Sequence, residues 1–218
     1  MVLLMEITII DLHFQARERA IASFLVKGAG GSILIETGPE SCREGLLDGL
    51  KEKKVDPEQI AAVFVTHVHL DHAGGAGWWA ARGIPVYVHP KGARHLVNPS
   101  RLESSARQIY GDRFDEWWGS MVPAPEEMII PRSDGEVTSV AGLQVKALET
   151  PGHSFHHHAY VVGDSVFTGD AAGASIDDSG FISVTSAPPQ FDLSHTLASV
   201  DKLISLGAAT LYLTHFGA

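Results

Sequence analysis

Four side chains that bind metals or carry protons stand within six residues of one another: His67, His69, Asp71 and His72, in the run Thr66–Gly75, THVHLDHAGG. Their spacing is H-x-H-x-D-H. Imidazole nitrogens and a carboxylate together suit a borderline divalent cation, zinc first, with manganese or iron served by the same donors. The residues just before the run, Ala61 to Val65 (AAVFV), are apolar and β-branched and predict a short buried strand. If the chain stays extended past that strand, His67, His69 and Asp71 project to one side, and Val68 and Leu70 to the other. The apolar pair would anchor the loop while the polar set converges over the sheet rim. His72, adjacent to Asp71, must leave at another angle and could serve a second centre. A loop of incidental histidines is the competing interpretation, and the alternation of ligands with apolar anchors argues against it.

Three later stretches carry the same kinds of residue: Thr150-Pro151-Gly152-His153, Phe167-Thr168-Gly169-Asp170 and Leu213-Thr214-His215. Together with the H-x-H-x-D-H run, and in this order, they resemble the signature of the metallo-β-lactamase fold superfamily over nearly the whole chain. The resemblance implies an α+β fold, a four-layer αβ/βα sandwich of two packed sheets with helices outside. It also implies a ligand set. His67, His69 and His153 would hold a first metal, and Asp71, His72 and His215 a second, with Asp170 bridging the two. Two divalent ions, zinc or else manganese or iron, about 3.5–4 Å apart would hold a hydroxide and lower its pKa towards neutrality. The hydroxide would attack an electrophilic carbonyl or phosphorus while the metals stabilise the developing oxyanion. Asp71 would have a further catalytic role in steering the proton. His156, His157 and His158 follow closely. A T-P-G-H turn, in which Gly152 permits unusual backbone angles, favours His153 as the ligand. The other three are expected to pack or to hydrogen-bond to ligands, although one of them could substitute as a ligand.

Departures from named relatives narrow the expected function to the glyoxalase II or lactonase-like branch. The commonest zinc β-lactamases have a cysteine near the position of Asp170, and RNA-processing relatives carry basic segments absent here. Hydroxyacyl-glutathione hydrolases bind glutathione partly through a C-terminal helical region, whereas three residues follow His215. The expected activity is hydrolysis of a small ester, thioester or lactone. A mononuclear iron persulfide dioxygenase, with two histidines and an aspartate on the iron, is the alternative within the same fold. A metal-binding module without turnover would not need all seven ligands. The chain end leads to a further expectation: the natural chain continues past Ala218, or a partner covers the face left open.

Composition sets the remaining bounds. The 218 residues, 44% hydrophobic and 19% charged, describe one globular domain over residues 1–218. A net charge of −10 argues against a nucleic-acid partner, and no run reaches membrane-spanning length. The partner expected is a small-molecule substrate, with a homo-oligomer possible. Cys42 is the only cysteine, which excludes an intrachain disulfide and points to a reducing, cytoplasmic compartment; no role is assigned to it. The apolar opening MVLLMEITII has no basic leader and reads as a strand, not a signal peptide.

The elements that must position the ligands follow from pattern. Strands are expected at Glu6–Asp11, Ile21–Lys27 and Ser32–Glu36, the last two joined by a glycine-rich turn. Ser41-Cys42-Arg43-Glu44 is a capping-box candidate for a helix burying Leu46, Leu47 and Leu50, with lysines at its C-terminal end. A short helix follows through Trp78, Trp79 and Ala80, then a strand over Ile84–His89. Further strands are expected at Met128–Ile130, Val137–Val140, Leu143–Leu148, Ala159–Val162, Ser165–Thr168 and Thr210–Leu213. Asp192 or Ser194 should cap a helix whose inner face carries Leu197, Val200, Leu203 and Ile204. Residues 98–127 hold Tyr110, Phe114, Trp117 and Trp118 among many charges. They read equally as a helical insertion packed on its own aromatics and as a cap walling a substrate pocket.

Overall fold

The computed structural model describes residues 5–175 and 179–218; the first four residues of the apolar opening lie outside them. The first sheet begins as an antiparallel meander of β1 (Glu6–Asp11), β2 (Ala22–Gly28) and β3 (Gly31–Ile35), with Gly28 paired to Gly31 across the expected turn. Strands β4 (Ile60–Phe64), β5 (Val86–Val88) and β6 (Ile129–Pro131) then add in parallel, in the order β1-β2-β3-β4-β5-β6. Parallel neighbours need crossovers. These are supplied by helix α1 (Arg43–Glu52), by the short α2 (Leu70–Ala73) and α3 (Ala76–Ala80), and by α4 (Pro90–Val97), α5 (Ser100–Tyr110) and α6 (Phe114–Trp117). The second sheet contains β7 (Val137–Val140), β8 (Leu143–Glu149), β9 (His158–Val162), β10 (Ser165–Gly169) and β11 (Thr210–Leu213), in the order β11-β10-β9-β8-β7. Its neighbours are antiparallel except β10 and β11, which α7 (Leu193–Ser205) connects in parallel.

Side-chain alternation stacks these elements into layers. Phe24, Val26, Ile33, Ile35 and Phe64 point inward to meet Val145, Tyr160 and Phe167 between the sheets. Their neighbours Leu25, Leu34 and Val63 point outward under Leu46, Leu50 and Trp79 of the helices. On the far face Leu148, Ala159 and Val166 pack with Leu203 of α7. Helix, sheet, sheet, helix is the α+β four-layer sandwich that the motifs imply. Among the described residues no helix is long and apolar enough to cross a membrane.

Four expectations are corrected. Ser41 forms no capping box: Cys42 occupies the cap position without a side-chain bond, and the Ser41 hydroxyl instead donates to the Trp117 carbonyl at 2.6 Å. Helix α7 is rotated from its expected face. Leu197 and Ile204 are 57% and 69% exposed, while Ser199 and Leu203 are buried. The cause is a long-range bond: the Ser199 hydroxyl donates to the Pro151 carbonyl at 2.6 Å, drawing the Thr196–Ser199–Leu203 stripe onto the ligand turn. Strand β5 is three residues long, because His89 turns away to cap α4, with Pro90 at its first position. The chain after β4 does not stay extended. A helical turn starts at Leu70, so Asp71 leaves at a different angle from His67 and His69, with Val68 and Leu70 buried as anchors.

Strand β4 carries the metal-type loop, and Phe64 fixes it between the sheets. Its ring stacks on Tyr87 at 4.6 Å and meets the edge of Tyr160 at 5.2 Å. Phe64→Ala should cost about 3–5 kcal/mol in a urea titration; a loss below about 1 kcal/mol would show that β4 is held mainly by other contacts.

Candidate metal centre

All seven of the sequence-selected residues arrive at one rim of the sandwich. The loop after β4 brings His67, His69, Asp71 and His72; the turn after β8 brings His153; Asp170 follows β10 directly and His215 comes just after β11. Two glycines permit the approach. Gly152 lies at φ +135°, and a Cβ there would meet Thr196 of α7 at 2.4 Å. Gly169 lies at φ +51°, and its Cβ would meet Thr66 at 2.6 Å and His157 at 2.7 Å.

The side chains form two groups that share one residue. In the first, His67 Nε2 and His153 Nε2 each lie 2.9 Å from His69 Nδ1, and His153 Nε2 lies 3.1 Å from Asp170 Oδ2. In the second, His215 Nε2 lies 3.3 Å from Asp71 Oδ2, and His72 Nε2 lies 3.6 Å from the same oxygen. Asp170 Oδ1 faces this second group, 3.5 Å from His72 Nε2 and 3.4 Å from His215 Nε2. The carboxylate of Asp170 thus offers one oxygen to each group. Both Asp170 Oδ1 and His72 Nε2 are fully buried and lack a hydrogen-bond partner among the described residues. Orphaned buried polar atoms are costly, and a cation is what this set of nitrogens and oxygens fits.

The opposite edges of the histidines are held by the protein. His72 Nδ1 meets Glu36 Oε1 at 3.0 Å, and His67 Nδ1 meets the Thr66 hydroxyl at 3.1 Å. His153 Nδ1 and His215 Nδ1 donate to the carbonyls of Thr185 at 2.7 Å and Ala20 at 2.8 Å. Such bonds fix tautomer and ring direction, leaving the other nitrogen to face inward. Sequence reasoning assigned Glu36 no role. It is fully buried at φ +65°, and it accepts from the Thr66 backbone at 3.2 Å, the Thr66 hydroxyl at 2.5 Å and Thr214 at 3.3 Å. Its signal was a lone acid closing the apolar strand SILIE. Of the three extra histidines, His157 bonds the Thr150 hydroxyl at 2.8 Å and accepts from the Asp170 N–H at 3.1 Å, so it supports the site from behind. His156 faces the cavity beside His69. His158 lies apart against His89, their rings 4.6 Å from each other.

Burial, reinforced by the neighbouring imidazoles, pushes His67 well below the usual histidine range and His69 down to about 4. His72 and His215 go the other way. Burial opposes their charge, but the carboxylates of Asp71 and Asp170 outweigh it and raise both. The same attraction holds Asp71 and Asp170 well below the carboxylate range despite their burial.

The family model described as the Metallo-beta-lactamase superfamily matches residues 16–215. The chain belongs to that superfamily. Among similar members, a metallo-beta-lactamase fold-containing protein of Sulfurisphaera tokodaii is 24% identical over 73% of this chain and 62% of its own length. An atrochrysone carboxyl ACP thioesterase of Aspergillus fumigatus is 30% identical over 87% of this chain and 49% of its own. The chain thus spans between about a third and three-fifths of the length of the curated relatives it matches. In solved structures the Sulfolobus tokodaii protein superposes with a TM-score of 0.78 at 23% identity, over 97% of this chain and 80% of that one. A metallo-beta-lactamase family protein from Thermus thermophilus gives 0.71 at 26% identity, over 98% and 73%.

Over this superfamily rim lies a cavity of about 650 Å³, with His69, Asp71, His153 and Asp170 among its lining residues. Helix α5 lines it with Leu102, Ala106, Ile109 and Tyr110, joined by Trp118. Within residues 98–127, Phe114 is fully buried in the core, whereas Tyr110 and Trp118 line the cavity.

Two outcomes follow for metal binding. Glu36→Gln should weaken zinc affinity about 10–100-fold in a chelator competition; unchanged affinity would deny Glu36 its orienting role. Because Asp71 and Asp170 raise His72 and His215 whereas burial lowers His67 and His69, affinity for the second group should climb more steeply as pH rises. Calorimetry in buffers of different ionisation enthalpy should show greater proton release in one of two zinc-binding events. Equal release in both, or in neither, would contradict the assignment.

Proposed function

We propose that this chain is a dinuclear metal-dependent hydrolase of a small ester, thioester or lactone. One observation carries the reading: the buried Asp170 carboxylate divides its two oxygens between two complete groups of ligands. His67, His69 and His153 would hold one divalent ion and Asp71, His72 and His215 the other, with Asp170 shared. Two such ions supply an acidified water and an electrophile for a carbonyl oxygen. The thioesterase named among the relatives supports a thioester as substrate.

The residues of the chain do the positioning. The Asp71 side chain is 25% exposed against 5% for Asp170, and it lines the cavity. Held ionised by its neighbours, it serves as the acceptor that orients an attacking water rather than as a store for the proton. The wall of Leu102, Ala106, Tyr110 and Trp118 takes the apolar part of the substrate and excludes bulk water. The indole N–H of Trp118 is itself buried and has no hydrogen-bond partner among the described residues, so the ring meets the cavity with its apolar part.

Metal analysis of zinc- or manganese-reconstituted protein, with an ester, thioester and lactone panel, tests the reading. Two ions per chain with turnover are expected. One iron per chain with oxygen uptake on a persulfide would select the oxygenase alternative. Asp170→Asn keeps the shape but removes the shared charge, so one ion should be lost or weakened and turnover should fall by more than about 10–100-fold, the effect of losing an outer-sphere partner. Two tightly held ions and full activity in that variant would refute the shared-ligand assignment. Trp118→Ala should raise KM for an apolar substrate more than it lowers kcat. Trp117→Ala, off the cavity and packed on Tyr110 and Arg113, should leave KM near wild type; equal KM effects would show that the wall is not selective.

A further inference from the structure

The cavity lining includes Arg94, His95 and Arg101. Arg94 and His95 share one face of α4 with Lys91, at the i, i+3, i+4 spacing. Arg101 begins the stripe by which α5 lines the cavity. The ion-paired cations lie elsewhere: Arg43 with Glu40 and Glu44, Arg107 with Asp115, and Lys202 with Asp134. Among the described residues neither Arg94 nor Arg101 has a carboxylate partner. The Nε of Arg94 donates only to His95 Nε2 at 3.3 Å, and the cavity's own acids, Asp71 and Asp170, belong to the ligand groups. Burial, and then the charges of Arg94 and Arg101, lower the pKa of His95, so all three add positive or neutral, not acidic, character to this lining.

A solvated basic face is the plain alternative. It would explain two exposed arginines, but not their convergence from different helices on a cavity in a chain with 26 acidic and 16 basic residues. Acids were abundant enough to pair them, and like charges left together repel. Guanidinium forks match the oxygens of a carboxylate or a phosphate, often with two parallel bonds.

We propose that Arg94 and Arg101 form an anion-binding subsite, so that the preferred substrate is an ester or thioester bearing a carboxylate or phosphate remote from the scissile bond. The inference rests on the hydrolase reading for its reaction and on the cavity for its geometry. Helix α5 sets the reach. Arg101 and Tyr110 mark the two ends of its lining stripe, on the order of 14 Å apart at the helical rise, and Tyr110 is the end that feels the charge of Asp71. Leu102, Ala106 and Ile109 lie between them and suit an aliphatic spacer.

Two series of thioesters test this, one with the anion on the leaving thiol and one with it on the acyl group. Each compares a terminal carboxylate, a phosphate and a neutral amide at equal length. In at least one series the wild type should favour an anionic member by roughly 10-fold or more in kcat/KM, the scale of a charge-assisted hydrogen bond. The carboxylate and phosphate arms identify the anion. In the Arg94→Gln/Arg101→Gln double variant the ratio of anionic to neutral kcat/KM should fall towards one. Equal kcat/KM for neutral and anionic members in both series would overturn the proposal, as would a double variant that slows all members equally. Calorimetry with the corresponding non-hydrolysable thioethers separates this from the hydrolase reading. Anion-dependent binding that the double variant loses supports the subsite even if no thioester is cleaved, and binding indifferent to the anion overturns it even if all are cleaved.

Discussion

The fold is built around burying negative charge at the end of a sheet. Asp170 is 5% exposed, yet it stays ionised because imidazoles from three separate segments surround it. An unpaired carboxylate in such a place would cost several kcal/mol or give up its charge. The strands that end at this rim, the two glycines that let the backbone approach and the α2 turn that redirects Asp71 all follow from the need to bring positive charge or a cation to that carboxylate. The protein supplies part of it through His72 and His215 and, among the described residues, leaves Oδ1 of Asp170 without a hydrogen bond.

Glu36 shows how the support is organised. A side chain at positive φ in the core is strained by about 1–3 kcal/mol. That strain is offset because one carboxylate ties β3 to the loop after β4 through Thr66 and His72, and to the end of β11 through Thr214. Hydrogen bonds to a charged group contribute about 1.5–3 kcal/mol each. Both sheets are thus registered at the point where their ligands must meet. His157 does the same for the backbone of Asp170 from the other side.

Much of this was legible in the sequence, for identifiable reasons. The apolar runs Ile21–Lys27 and Ser32–Glu36 beside a glycine-rich turn marked two strands, and they form β2 and β3. The ligand motifs are short and stand beside strands, so their arrival at one rim needed only the strand ends. Long-range polar contacts were not legible. The Ser41 hydroxyl found Trp117, seventy-six positions away, in place of a local cap. Ser199 turned α7 by bonding Pro151, and no periodicity within the helix could reveal that. Glu36 stood in plain view, but its role depends on partners from two other strands.

The claim on which the account depends is that Asp170 lies between two metal ions close enough to share it. Electron paramagnetic resonance of protein loaded with two equivalents of manganese(II) addresses this directly. A shared carboxylate predicts an exchange-coupled spectrum that replaces the six-line pattern of isolated ions, and Asp170→Asn should return it to the isolated form. An uncoupled six-line signal from the wild type with two manganese bound, or saturation at one ion per chain, would contradict it.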